Sequence, residues 1–447
     1  MSGINAALND AANNLGALER SLLVIQQNVG NASTPGYARQ DLGGAIDSFS
    51  DSNLTQTINS RDEFAETAVR QQNTLFGYSD QLNSILQTAQ SNFPASGDTG
   101  LPAAINNLFS SFSALTTSPN DPTARQQVIA QAGQVALAFN STAANLANTA
   151  GDTRQQISSE VDTINHLAGL VQRYNTTRQA NAGGAPDPIA DAKLHDTLEQ
   201  LSEYGNIQSL TQSDGSVTLL LGQTALVVGQ TQFPIASQAA PGGTAKIVDS
   251  HGVDITSQIS GGRLGGSLEA LNQSLPAYVS GLNQLAQGVA DSVNGTLAGG
   301  VDSNGAAGAP LFTYDSSTGA AATLAVTNIT PDQLAAASPS APGGNGNALA
   351  LSALGTTQNL NGFTFAGFYG NLAATVGQDV SNASSAQSVE TQLLSQARAQ
   401  RTAASGVSLD EAAVQLVEFQ KAYEATAKVV TILDQLSADT INMITGT

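Results

Sequence analysis

The sequence predicts a mainly α protein with a small inserted β domain. Its terminal helices should pair as an antiparallel coiled-coil-like unit, giving a nested multi-domain layout. Three observations lead there. Apolar residues alternate in steps of 3 and 4 at both extreme ends. Helical stripes fill most of the interior. Over one mid-chain stretch the period drops to 2 and β-branched residues appear.

At the N-terminus, Ile4, Leu8, Ala11, Leu15, Leu18, Leu22, Ile25 and Val29 form a strict seven-residue repeat. Such a narrow seam is buried by another helix as a left-handed supercoil. The helix meets Gly30-Asn31, which tolerate a left-handed backbone. Thr34-Pro35-Gly36-Tyr37 then reads as a type II turn, with Pro fixing φ at its second position and Gly accepting φ > 0 at its third.

Residues 64–183 read as helical, with Val128, Val135, Phe139 and Leu146 on one stripe and Ile157, Val161, Ile164, Ala168 and Val171 on the next. "NAGGAPDP" (181–188) is a break, and a short helix is expected over about 191–204. Residues 206–260 read as the β domain. Asp214-Gly215 suits a hairpin turn, two strands flank Gly222-Gln223, and "AKIVDSHGVDIT" offers one or two more. Helix returns over 266–295. Residues 296–348 are rich in Gly, Ala and Ser, with short strands at "PLFTY" and "ATLAV". Helix resumes over 348–404.

A second seam closes the chain: Leu409, Ala412, Leu416, Phe419, Tyr423, Thr426, Val430, Leu433, Ser437, Thr440 and Ile444. "SLDE" (408–411) opens it as a capping box, in which Ser408 accepts from the amide three residues on and Glu411 reaches back. The expected division is 1–45 with 405–447 as the terminal unit, 46–205 with 261–404 as a helical body, and 206–260 as the β domain.

Composition limits the function. Lys plus Arg number 15 against 35 Asp plus Glu, a net charge of −20. That argues against nucleic acid, whose affinity comes from cations neutralising phosphates, and against an anionic membrane surface. Only 11% of residues are charged, against roughly 25% in an ordinary soluble domain. Weakly charged surfaces pack against copies of themselves at little cost, which suits a polymer subunit and equally an exported protein. There is no cysteine, so disulfides, thiolate ligands and a cysteine nucleophile are excluded. No apolar run is long enough to span a bilayer, and "MSGINAALNDAANN" lacks the basic-then-apolar pattern of a secretory signal. Export, if it occurs, is expected without a cleaved signal peptide.

No catalytic, cofactor or metal site is expected. His166, His195 and His251 lack a second His at ligand spacing, and solvated or capping roles are expected of them. "DSNG" (302–305) imitates the start of a calcium loop, but Thr313 stands where the closing Glu belongs. Neither a GxSxG elbow nor a phosphate-cradling GxxxxGK[ST] is present.

"QQNVGNASTPGYARQ" resembles the signature after the first helix of the flagellar rod, hook and hook-associated axial proteins. "SGVSLDEAAVQLVEFQKAYEATAKVVTILDQLSADTINMI" is similar to that family's C-terminus. Interior segments, among them "GSVTLLLGQTALVVG", "GAPLF" and "NGNALALSAL", fall in the order of the hook–filament junction members. There are departures. "DAKLHD" (191–196) replaces a common Asp-Gln-Arg-Asp run, "NGTLAGGVDSNG" lacks a His that relatives often carry, and the chain is short for a further outer domain.

The resemblance implies an adaptor that joins hook to filament by polymerising through its terminal helices, outside the cell. The implied partners are copies of itself in a ring, hook subunits, the next junction protein, an export chaperone and the flagellar export apparatus. The two seams would be its assembly surface. Asn28, Asn31, Thr34, Pro35, Gly36, Tyr37, Arg39 and Gln40 would form the hinge to the body, with Tyr37 as an aromatic anchor and Arg39 as a bidentate donor. Other readings are a distal rod or hook subunit, and a secreted adhesin whose β domain binds a surface ligand. A flagellar peptidoglycan hydrolase would need a carboxylate pair that the sequence does not offer.

Overall fold

A computed structural model describes residues 2–42, 57–94, 99–181 and 187–445. The expected class is what it shows: long helices, a small β region inserted between them, and the two terminal helices packed on each other.

Helix α1 (Ser2–Asn31) leads into a two-stranded ribbon, β1 (Gln40–Leu42) and β2 (Thr57–Asn59). The helical body follows as α2 (Glu63–Gln90), α3 (Gly100–Thr117), α4 (Pro122–Ala180) and α5 (Pro188–Tyr204). Asp62, Asp121 and Asp187 cap α2, α4 and α5 through their side chains, and Pro122 and Pro188 follow in the first turn, where a missing N–H costs nothing. At 59 residues α4 is the spine of the molecule.

The β region is an antiparallel meander of β3 (Ile207–Thr211), β4 (Val217–Leu221), β5 (Thr224–Val228) and β6 (Thr231–Gln232), with a separate hairpin of β7 (Ala236–Ala239) and β8 (Ala245–Val248). Gly215 takes φ +80° in the first turn, as the Asp-Gly pair predicts. Two asparagines of α4 sew this region to the spine. Asn175 donates to the carbonyls of Val217 and Gly229 at 2.8 and 2.7 Å and accepts from the Val217 amide, while Asn165 exchanges two bonds with the Ile235 backbone.

Helices α6 (Gly262–Glu269) and α7 (Leu275–Ala298) run on through a π turn at Ala270–Ser274. Two short strands, β9 (Phe312–Thr313) and β10 (Ala325–Val326), flank α8 (Ala320–Thr323). The helix expected over 348–404 is two helices, α9 (Gly346–Ala353) and α10 (Phe365–Ser405). They are separated by a turn in which Leu360 and Phe363 bond each other both ways while Asn361 and Gly362 take positive φ. An Asn-Gly pair satisfies that turn better than a helix. Phe365 then stacks on Phe109, ring centroids 5.6 Å apart, within the main core.

Helix α11 (Leu409–Thr445) closes the chain. Ser408 Oγ accepts from the Glu411 amide at 3.3 Å, but the Glu411 carboxylate turns forward to Gln415 rather than back, so only half of the expected capping box forms. By the rise of an α-helix, α1 is about 45 Å long and α11 about 55 Å.

Candidate functional site at the base of the terminal helices

The terminal helices join the body at one polar knot. Asn28, buried in the last turns of α1, accepts from the Tyr37 hydroxyl at 3.0 Å and the Gln40 amide at 2.9 Å, and donates to the Gln40 carbonyl at 2.8 Å. One side chain thus folds the outgoing segment back on its helix. Burial pushes the Tyr37 phenol up to about 12, so the hydroxyl is always a donor. Asn31 accepts from Thr34, and the Tyr37 amide bonds the Thr34 carbonyl at 3.1 Å across the turn. Gly36 has φ +71°, and a Cβ there would meet the Ala192 carbonyl at 2.2 Å. Glycine is required both for the turn and for its approach to α5.

Arg39 works through its backbone. Its amide bonds the Ser405 carbonyl at 2.9 Å and its carbonyl accepts from Ser60, which ties α1, the ribbon and the end of α10 together. Its guanidinium offers only Nε to the neighbouring Asp41 on the surface, at 3.2 Å. The bidentate role expected of Arg39 is therefore corrected, and the guanidinium at the joint is that of Arg61. It donates to Glu66 at 2.7 Å, to Asp191 at 2.8 Å and to the Gly36 carbonyl at 2.8 Å. From α10, Arg401 reaches Glu199 at 2.5 Å and Glu66 at 3.4 Å, and Arg398 pairs with Glu199 at 2.9 Å. Burial alone would raise the Glu199 carboxyl, but the bond and charge of Arg401, with Arg398, hold it below its ordinary value.

His195 belongs to the same knot, which overturns the solvated or capping role expected of it. It is buried, its Nε2 is 3.7 Å from Asp191, and burial together with Arg61, Arg70 and Arg401 pushes its pKa down to about 3. It stays neutral because burial disfavours its charged form, and a positive charge there would also face three guanidiniums. His166 and His251 are exposed, as expected. The departure "DAKLHD" is thus where the body grips the hinge: Asp191 holds Arg61 and Asn59, and Ala192 and Asp196 carry Gly36.

Antiparallel pairing follows from this joint, because α11 begins where α1 ends. On α1, Ile25 is buried and Ile4, Leu8, Leu15, Leu18 and Leu22 are half-buried. Val29 is 42% exposed, and Asn28 takes its place inside. The joint needs a two-way polar side chain there, so the heptad slips by one residue in its last turn. On α11, Leu416, Phe419, Tyr423, Val430 and Leu433 are half-buried, whereas Leu409 is 56% exposed and Ala412 begins the buried face. The Ile444 side chain lies outside the described residues. A second stripe of α11, Val429, Ile432, Leu436 and Met443, is exposed beside the covered one.

The charged partners escaped sequence reading. The available signal was scarcity: a chain with so few cations places Arg398 and Arg401 one turn apart on a single helix face. Among the described residues no group of His, Cys, Asp or Glu could hold a metal ion, and no helix is long and apolar enough to cross a membrane.

A joint built for orientation, with paired helices standing off the body, defines a structural subunit whose terminal helices are its working parts. Comparison with known proteins assigns the family. The model described as "Flagellar hook-associated protein FlgK helical domain" matches residues 86–312, just over half of the chain, and one described as "Flagellar basal body rod FlgEFG protein C-terminal" matches residues 398–443. The chain belongs to the FlgK family of flagellar hook-associated proteins, a family of structural components of the bacterial flagellum and not of enzymes.

Flagellar hook-associated protein 1 of Bacillus subtilis is 26% identical over 99% of both chains. Its counterpart in Salmonella typhimurium is 24% identical over 70% of this chain and 60% of its own length. The solved structure of the flagellar hook junction protein FlgK from Burkholderia pseudomallei shares the fold, with a TM-score of 0.69 at 17% identity, over 75% of this chain and 99% of that one.

Proposed function

We propose that this protein is a non-enzymatic adaptor at the hook–filament junction. Its subunits form a ring through their terminal helices, contacting hook subunits on one side and the next junction protein on the other. It reaches that place outside the cell through the flagellar export apparatus, with a chaperone. The division into a terminal unit (1–45 and 405–447), a helical body (46–205 and 261–404) and a β domain (206–260) is part of this reading, its first boundary lying outside the described residues.

The observation that carries the proposal is the double-faced α11. One stripe is covered by α1, and the adjacent stripe of Val429, Ile432, Leu436 and Met443 is bare. Apolar stripes of this kind mark surfaces that a partner covers, and each such side chain contributes roughly 1.5–3 kcal/mol once fully buried. The terminal seams named above, with the hinge residues, are its assembly machinery.

Two variants test this. Leu18→Asp and Phe419→Asp should each leave a soluble folded body but abolish incorporation into flagella, read by immunoblot of sheared flagella and by swimming. Normal motility in both would sink the proposal.

A further inference from the structure

Helix α2 carries a seven-residue repeat of its own: Phe64, Ala68, Gln71, Leu75, Tyr78 and Leu82. Over its second half α6 covers this stripe. Gly265 and Gly266 sit on Tyr78 and on the Leu82 amide, and both side chains are partly buried. Over its first half Ala68 is half-buried, but Phe64, Gln71 and Leu75 are exposed. Phe64 is 90% exposed and Leu75 is 41% exposed. The face of α2 that meets α5 holds Asn73 and Gly77. At 100° per residue Phe64 points away from it.

On the other side of α5 lies an open groove of about 340 Å³ between α4 and α5, floored by Leu170, Val171 and Leu194 with Tyr174 at its side. Arg173 and Lys193 stand exposed at its rim, and neither has an ion-pair partner among the described residues. Asp196, the acid that also lines it, is engaged by Gln200 at 2.8 Å. In a chain of net charge −20, this is an apolar groove with a basic rim. Phe64 is the complement, an exposed aromatic beside the exposed carboxylate of Glu63.

We propose that the occupant of this groove is a second copy of the chain: Phe64 of one subunit seats between α4 and α5 of the next, with Glu63 facing Arg173 and Lys193. The knob and the groove are different surfaces of the subunit, so a contact between them can repeat head to tail, as a ring requires. A buried aromatic beside a charged rim is the usual anchor of such an interface. The inference rests on the ring reading above and adds a lateral contact between bodies, independent of the terminal helices.

The test places the photo-crosslinker p-benzoylphenylalanine at position 64 of the full chain in flagellated cells. Flagella are isolated after illumination and the adducts are mapped by mass spectrometry. The expected product is a two-copy adduct within residues 170–200. Lys193→Glu should lower its yield by about two- to fivefold, the range of an exposed ion pair, and Glu63→Lys in the same chain should restore it. An adduct to residues 43–56 of the same copy, to another part of a second copy or to another protein would overturn the proposal. So would a chain present in flagella without any adduct. If the unmodified chain is absent from flagella altogether, the ring reading fails with it.

Discussion

Arg401 closes the joint from α10 by touching two carboxylates on two other helices, Glu199 and Glu66. Each keeps one other arginine when Arg401 is lost, so Arg401→Met should cost about 2–3 kcal/mol rather than the larger penalty of a stranded buried charge. Arg401→Lys should recover little of it, since a point charge cannot serve both acids. Urea midpoints would measure both. Glu160 titrates in the opposite sense. It is buried in α4, takes one bond from Ser267 at 3.0 Å, and burial raises its pKa to about 7. The folded state therefore holds that proton after the unfolded chain has released it, and stability falls as pH rises from about 4.5 to 7. Glu160→Gln should gain about 1–3 kcal/mol at pH 8 and nothing at pH 4; an equal change at both would refute the assignment. For His195 the folded pKa is depressed, so the unfolded chain binds the proton first. Stability is lost as pH falls from about 6.5 towards 3, and His195→Gln should flatten that slope in a melting series.

At the scale of elements, the hinge turn is where sequence and structure agree most closely. Thr34-Pro35-Gly36-Tyr37 specifies its own geometry, and Gly36 meets α5 through backbone alone. Gly36→Ala combines a left-handed φ with a 2.2 Å approach to a carbonyl. It should loosen the terminal pair from the body, seen as faster amide exchange in residues 28–40 with the β region unchanged. The paired seams were legible because a narrow apolar repeat has one physical solution, burial against another helix. Their ends were not. Val29 and Leu409 fit the repeat but lie outside, because the last turn of α1 serves the polar joint and α11 starts its contact one turn in at Ala412. The ion-pair knot was illegible for a related reason. Arg61, Glu66, Asp191, Glu199 and Arg401 are brought together only by tertiary packing, and nothing in their spacing links them. Asn165 and Asn175, which hold the β region, look in sequence like two more polar residues on a helix surface.

For the whole molecule, six charged side chains from four separate segments, Arg61, Glu66, Asp191, Glu199, Arg398 and Arg401, are gathered at one joint. The body, with its single large core, is a rigid mount. The terminal pair is a lever, aligned by the knot and presenting an apolar stripe outward. Family membership accounts for that design as a flagellar structural part. The central claim is that the part sits between hook and filament. It is tested most directly by electron microscopy of cells lacking this protein, with flagellin assayed in the medium. The account predicts finished hooks without filaments and flagellin lost to the medium, restored by the wild-type chain but not by Leu18→Asp. Filaments of normal length on such cells, or the absence of hooks, would contradict it.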